Sequence, residues 1–118
     1  MTNILGISAF YHDSAACLLQ DGNIVSAVQE ERFTRNKHDQ PFPVHAIGYC
    51  LKKACISSKD LDFVAFYDQP KLKFKRILHT YFHYAPIGFQ SFVKAMDTWI
   101  RQKLWIMQFI QKELNYKG

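Results

Sequence analysis

Ile4-Leu5-Gly6-Ile7-Ser8, Ser14-Ala15-Ala16-Cys17-Leu18-Leu19 and Asn23-Ile24-Val25-Ser26-Ala27-Val28 are three short apolar runs, and only Gln20-Asp21-Gly22 separates the second from the third. Runs this short, bounded by polar breaks, read as strands rather than helices. Asp-Gly between two apolar runs supplies the positive-φ positions of a tight hairpin turn. Three consecutive strands are therefore expected. Ser26 interrupts the apolar pattern of the third and predicts a less deeply buried face there.

Outward from this meander, residues 29–43 turn polar, and Pro41 and Pro43 with a run of mixed charge predict a loop rather than an element. Loops of this length in a compact domain are usually functional or mobile. Val44, Ile47, Leu51 and Ala54 then recur at helical spacing behind Pro43, a good first-turn residue. Ser57 followed three residues later by Asp60 has the form of a capping box. Phe63-Val64-Ala65-Phe66-Tyr67 is continuously apolar and predicts a fourth strand buried on both faces. Asp68-Gln69-Pro70 marks a boundary. Beyond it, Leu72–His83 and Pro86–Tyr116 read as two long helices. The expected organisation is an α/β chain, with a βββαβ core over residues 1–68 and a basic amphipathic helical segment over 69–118.

Composition narrows the function classes. The chain has 118 residues, 48% hydrophobic, 21% charged, with three cysteines and a net charge of +5. That suffices for one core and argues against disorder. An odd cysteine count argues against a disulfide-stapled secreted domain and for a reduced, cytoplasmic chain. No basic-then-apolar leader opens the sequence, and no run reaches the ~20 apolar residues of a membrane span. The first 60 residues balance Arg32, Arg35, Lys37, Lys52, Lys53 and Lys59 against Asp13, Asp21, Glu30, Glu31, Asp39 and Asp60. The excess positive charge therefore lies in the second half, and no nucleic-acid partner is expected for the first. Lys71, Lys73, Lys75, Arg76, Lys94, Arg101, Lys103, Lys112 and Lys117 make the second half basic as well as amphipathic. A membrane-surface helix has this pattern, and so does a helix with a solvated basic face and an apolar face in a core.

Four groups of residues invite a chemical reading. Tyr11-His12-Asp13-Ser14 falls in the turn between the first two strands, where His12 is suited to general-base work and equally to a solvated loop position. Adjacent residues tend to diverge, so Asp13 is expected to hold the loop backbone or a polar ligand rather than share a face with His12. Glu30-Glu31-Arg32 and Arg35-Asn36-Lys37-His38 follow the third strand, and such cations either face an anionic ligand or pair with neighbouring carboxylates. His79 and His83 stand four apart on a predicted helix but lack a nearby third ligand, so no metal site is expected. Cys50 and Cys55 fit neither a zinc nor a redox spacing and read as core thiols. His45 opens the first long helix and reads as structural. No glycine-rich phosphate loop is present, which disfavours a kinase-like ATPase.

Ile4-Leu5-Gly6-Ile7, Tyr11-His12-Asp13-Ser14-Ala15-Ala16, Asp21-Gly22, Glu30-Glu31-Arg32-Phe33-Thr34-Arg35-Asn36-Lys37-His38 and Phe42-Pro43 occur in this order and spacing. In this combination the chain resembles the amino-terminal end of the nodulation- and antibiotic-type O-carbamoyltransferases, strongly over residues 3 to about 68 and more loosely in the helical segment. The resemblance implies a βββαβ unit of the actin/sugar-kinase/heat-shock ATPase type. It implies that carbamoyl phosphate and ATP give carbamoyl-adenylate in a separate carboxy-terminal part, and that the carbamoyl group then passes to a hydroxylated small-molecule acceptor. On this likeness His12 is the base for the acceptor hydroxyl. Lys37, with Arg35 and His38, lines the cleft near the anionic anhydride, and Asp13 holds the loop that carries His12. The divalent metal implied for the complete enzyme uses ligands later in the family's sequences and is not carried over to His79 and His83. A chain of this length is then expected to be incomplete, as a truncated product, split subunit or fragment, and inactive alone. The alternative outside catalysis is a peripheral-membrane or scaffold protein acting through its basic segment.

Overall fold

In the computed structural model, which describes residues 1–116, strands β1 (Asn3–Ser8), β2 (Ala15–Gln20) and β3 (Asn23–Gln29) form an antiparallel meander. A one-turn helix α1 (Glu31–Thr34) and helix α2 (Val44–Ala54) follow, and β4 (Phe63–Phe66) then pairs in parallel with β1, giving the sheet order β3-β2-β1-β4. The expected βββαβ order is the observed one. Asp21 and Gly22 turn the hairpin with φ of 49° and 83°, the pair of left-handed residues that matches strand twist. The amide of Thr2 donates to Asp21 Oδ1 at 2.7 Å, which ties the chain start to the turn. The β2–β3 register shifts between Leu18 and Leu19, leaving Val25 as the extra residue of a bulge.

Alternation sends Leu5, Ile7, Ala16 and Leu18 to one face, where all are buried, as are Ala46, Ile47 and Cys50 of the overlying α2. Ser26 belongs to this covered side: its Oγ is buried, and its carbonyl accepts from Cys50 Sγ at 3.9 Å. The more open side of β3 is the one carrying Ala27, so one face of the strand is less deeply buried as expected, although it is not the face of Ser26. β4 also departs from expectation. It is an edge strand with alternating burial, and Phe63 is 61% exposed, because α2 covers only one face. Ser57 and Asp60 do form a capping box at a short 3-10 turn, with Asp60 Oδ2 accepting from the Ser57 amide at 2.8 Å and hydroxyl at 2.7 Å. Buried Asn3 is fully engaged: its Nδ2 donates to Asp60 O at 2.8 Å and its Oδ1 accepts from Gln20 at 2.9 Å.

The described residues fall into two compact units, one of Met1–Tyr67 joined by the segment from Leu114, the other of Asp68–Glu113. In the first, Tyr116 Oη donates to Asp62 O at 2.6 Å. The second contains α3 (Pro70–Tyr84) and α4 (Phe89–Arg101), while α5 (Ile106–Leu114) runs to its end. Pro70 sits at the first position of α3, where its missing N–H costs nothing. Phe74 meets Trp99 with ring centroids 6.3 Å apart, and Tyr81 stacks on Phe92 at 3.8 Å. The stretch read as one helix from Pro86 to Tyr116 is divided. Trp105 Nε1 takes the carbonyl of Ile100 at 2.8 Å, and a 3-10 turn over Lys103–Trp105 separates α4 from α5. Lys117 lies outside the described residues.

Candidate functional site

The β1–β2 loop and the segment after β3 are laced together by backbone hydrogen bonds. The amide of Phe10 donates to Gln40 O, that of Ser14 to Asp39 O and that of Glu30 to Ser14 O, each at 2.8 Å. Phe10, Asp13, Arg35 and His38 all adopt left-handed backbone, with φ of 68°, 43°, 60° and 56°. Each such non-glycine residue stores about 1–3 kcal/mol and persists only where its surroundings over-determine it. Here the lacing does so; Asp13 and His38 share one cluster of side chains, while Arg35 ends α1 as its C-cap.

That cluster is His12, Asp13 and His38. His12 Nδ1 lies 2.5 Å from Asp13 Oδ2, and His38 Nδ1 lies 2.7 Å from Asp13 Oδ1. The two imidazole centroids are 5.4 Å apart. The expectation that Asp13 would diverge from His12 is therefore corrected: in the left-handed conformation the Asp13 carboxylate reaches its neighbour's ring as well as His38, 25 residues away. The hydrogen bond from His38 is the chief cause that holds the Asp13 carboxyl below its usual range; desolvation opposes it, and the charges of His12 and His38 add to it. An ionised carboxylate only accepts, so in each neutral ring it favours the proton on Nδ1 and leaves Nε2 as an acceptor. Both rings are open, with side-chain exposures of 61% for His12 and 56% for His38.

Two carboxylates brace this arrangement. Glu31 Oε2 accepts from the His38 amide at 3.1 Å, closing the loop from α1 back on itself. Glu30 is buried and caps α2: Oε1 accepts from the His45 amide at 3.2 Å and contacts His45 Nδ1 at 2.6 Å, while Oε2 accepts from the Ala46 amide at 2.8 Å. His45 is thus structural, as expected. The segment read as an irregular loop instead begins with the helical turn α1, whose carbonyl at Glu31 accepts from the Arg35 amide.

Of the remaining residues singled out by sequence, Arg35 and Lys37 are exposed, and among the described residues neither joins an ion pair. The cation that meets a concavity is Arg32. A hollow of about 690 Å³ lies on the sheet face opposite α2, lined by Gly6, Ala15, Cys17, Ala27 and Ala65 together with Arg32. His12 does not line it, but Ser8 and Ala15, the two ends of its loop, do. Glu30 and Arg32 were marked only as members of the charged segment after β3; the clamp of Glu30 on α2 and the place of Arg32 at the hollow depend on contacts outside that segment. His79 and His83 are exposed on α3, and among the described residues no third donor joins them.

Residues 3–118 match the family model described as carbamoyltransferase N-terminus. The chain is 54% identical over all its 118 residues to the uncharacterized protein sll1178 of Synechocystis, and spans 19% of that protein's length. Over 60 residues, 51% of the chain, it is 43% identical to the nodulation protein NolNO of Sinorhizobium fredii, covering 9% of the latter. A similar 60-residue match at 40% identity joins it to an uncharacterized 19.2 kDa protein encoded in the syrM 5' region of Rhizobium etli, covering 35% of it. No helix among the described residues is long and apolar enough to cross a membrane.

Proposed function

Because this chain belongs to the carbamoyltransferase N-terminal family, we propose that it supplies the proton-accepting half of an O-carbamoyl transfer site, with His12 as general base. Alcohols are poor nucleophiles near neutral pH, so a positioned base is worth about 10²–10⁴-fold. The observation that carries the reading is the contact of His12 Nδ1 with Asp13, which leaves Nε2 of an open ring as the acceptor. In the step, the acceptor oxygen attacks the carbamoyl carbon of an activated carbamoyl donor, and its proton passes to His12 Nε2. The bond from that carbon to the leaving oxygen breaks, and the leaving group departs with the electron pair. Asp13 is a positioning residue that fixes the tautomer and stabilises the imidazolium. Lys37 and Arg35 supply positive charge toward an anionic donor such as carbamoyl-adenylate, with His38 beside them in the same segment.

ATP and carbamoyl phosphate are co-substrates of the complete enzyme in this reading, and the chain itself does not fit the nucleotide. Its positive-φ glycines, Gly22 and Gly88, serve a hairpin turn and the cap of α4 rather than a phosphate cradle. The divalent metal of the complete enzyme does not fit His79 and His83 either, since among the described residues the pair lacks a third donor. The Synechocystis relative and NolNO are several times longer than this chain, and in this reading the activity belongs to a protein of that length.

The test replaces the matching segment of the Synechocystis relative by this chain and follows labelled carbamoyl phosphate into acceptor carbamates, with AMP release measured in parallel. His12→Asn is expected to lower transfer at least ~100-fold while carbamoyl-phosphate-dependent AMP formation continues. Undiminished transfer, or equal loss of both reactions, refutes the assignment.

A further inference from the structure

We propose that His12, Asp13 and His38 form a binding site for one divalent transition-metal ion of the zinc class, and that occupancy withdraws His12 from proton transfer. The donor atoms of the three residues all lie within 4.8 Å of one another. Two imidazoles and a carboxylate are a donor set for zinc, cobalt, nickel or copper rather than magnesium or calcium, which prefer oxygen alone. Zinc–ligand bonds of about 2.0–2.2 Å place neighbouring donors roughly 3–3.5 Å apart. The present Nδ1-to-carboxylate separations of 2.5 and 2.7 Å need to open by about an ångström or less for an ion to enter. Both rings are more than half exposed and free to make that adjustment, whereas their backbones are fixed by the bonds of Ser14 to Asp39 and of His38 to Glu31. Three protein ligands leave the remaining positions open, as in zinc sites that exchange water or substrate.

The consequence for proton transfer follows from the tautomer. A metal on Nδ1 takes the place of the proton that now faces Asp13, and a neutral ring then carries its single proton on Nε2, exchanged through solvent. Nε2 becomes a donor and no longer accepts from an alcohol. This half of the inference rests on the general-base reading; the binding half rests on the three side chains alone.

The test titrates the 118-residue chain with Co²⁺ by visible absorption and with Zn²⁺ by calorimetry, with Mg²⁺ as the comparison ion. One site is expected, with d–d bands and no thiolate charge-transfer band, so that Cys17, Cys50 and Cys55 are not the ligands. Asp13→Asn and His38→Asn each weaken Zn²⁺ binding at least ~10-fold, since even outer-shell partners of metal sites are worth 10–100-fold, while far-UV circular dichroism reports that the fold is retained. His79→Asn leaves binding unchanged. Binding that survives both cluster substitutions, or a thiolate band, overturns the site. In the chimera, Zn²⁺ lowers carbamoyl transfer, and His38→Asn raises the Zn²⁺ concentration needed for half inhibition at least ~10-fold; inhibition indifferent to His38 overturns the second half. Failure of His12→Asn to affect transfer refutes the base and leaves the metal titration as it stands, so the two readings fail separately.

Discussion

Removing the Glu30 carboxylate exposes how far the site depends on one buried charge. Its oxygens accept from the amides of His45 and Ala46 and contact the His45 ring, and Ala46 has no exposed surface at all. In Glu30→Ala the Ala46 amide loses its partner where water does not reach it, at about 1–3 kcal/mol, and the amide and exposed ring of His45 add at most about 1 kcal/mol. The first turn of α2 then also loses a negative charge placed against its positive end. A total near 3 kcal/mol corresponds to about 100-fold at 1.4 kcal/mol per decade. Native-state hydrogen exchange by NMR reads this locally: the amides of Ala46, Ile47 and Cys50 are expected to exchange about 100-fold faster, while those of β1 change less. Glu30→Gln keeps one acceptor and places an NH₂ against a donor, so an intermediate acceleration of about 10-fold is expected. An acceleration below about 3-fold in Glu30→Ala would refute the idea that this carboxylate holds the helix to the loop.

Two further outcomes follow from local chemistry. Toward a neutral thiol reagent, Cys55 is expected to react first, Cys17 second and Cys50 slowest, because burial removes access and pushes the Cys50 thiol up from its ordinary value; mass spectrometry of partly labelled protein gives the order, and early labelling of Cys50 would contradict the packing of α2 on the sheet. Asp60 is held below its ordinary value first by the Ser57 hydroxyl and then by the Ser57 amide, so its capping bonds are present above that value and are lost as pH falls through the lowered one; the Asp60 carboxyl chemical shift should titrate lower than in Ser57→Ala, and coincident curves would reject the box.

What sequence conveyed and what it hid divide along the range of the interaction. The meander, the Asp21-Gly22 turn, α2 behind Pro43 and the Ser57–Asp60 cap are each decided within a few residues, and all four were readable. The two open faces were not: the apolar run at β4 looks the same whether one or two layers cover it, and only the sheet order makes it an edge. Glu30 sits in a stretch of charges that looks like a solvated loop, yet its partners lie 15 and 16 residues on, in α2. The break between α4 and α5 comes from an indole competing for a backbone carbonyl, which periodicity cannot report. His12, Asp13 and His38 were all marked as candidates, but their meeting depends on a contact spanning 25 residues and on a left-handed aspartate.

The placement of strain argues that the cluster is more than a chance meeting of surface side chains. Left-handed conformations fall on Asp13 and His38, two of the three residues of the cluster, whereas that at Arg35 ends α1 as its C-cap. Three backbone bonds and the Glu31 brace hold the strained residues where they are, and Glu30 anchors the same segment to the first turn of α2. The stability invested in α2 and the sheet therefore goes into fixing one carboxylate between two imidazoles. That fixed geometry is what a proton acceptor needs and what a competing metal ion would exploit.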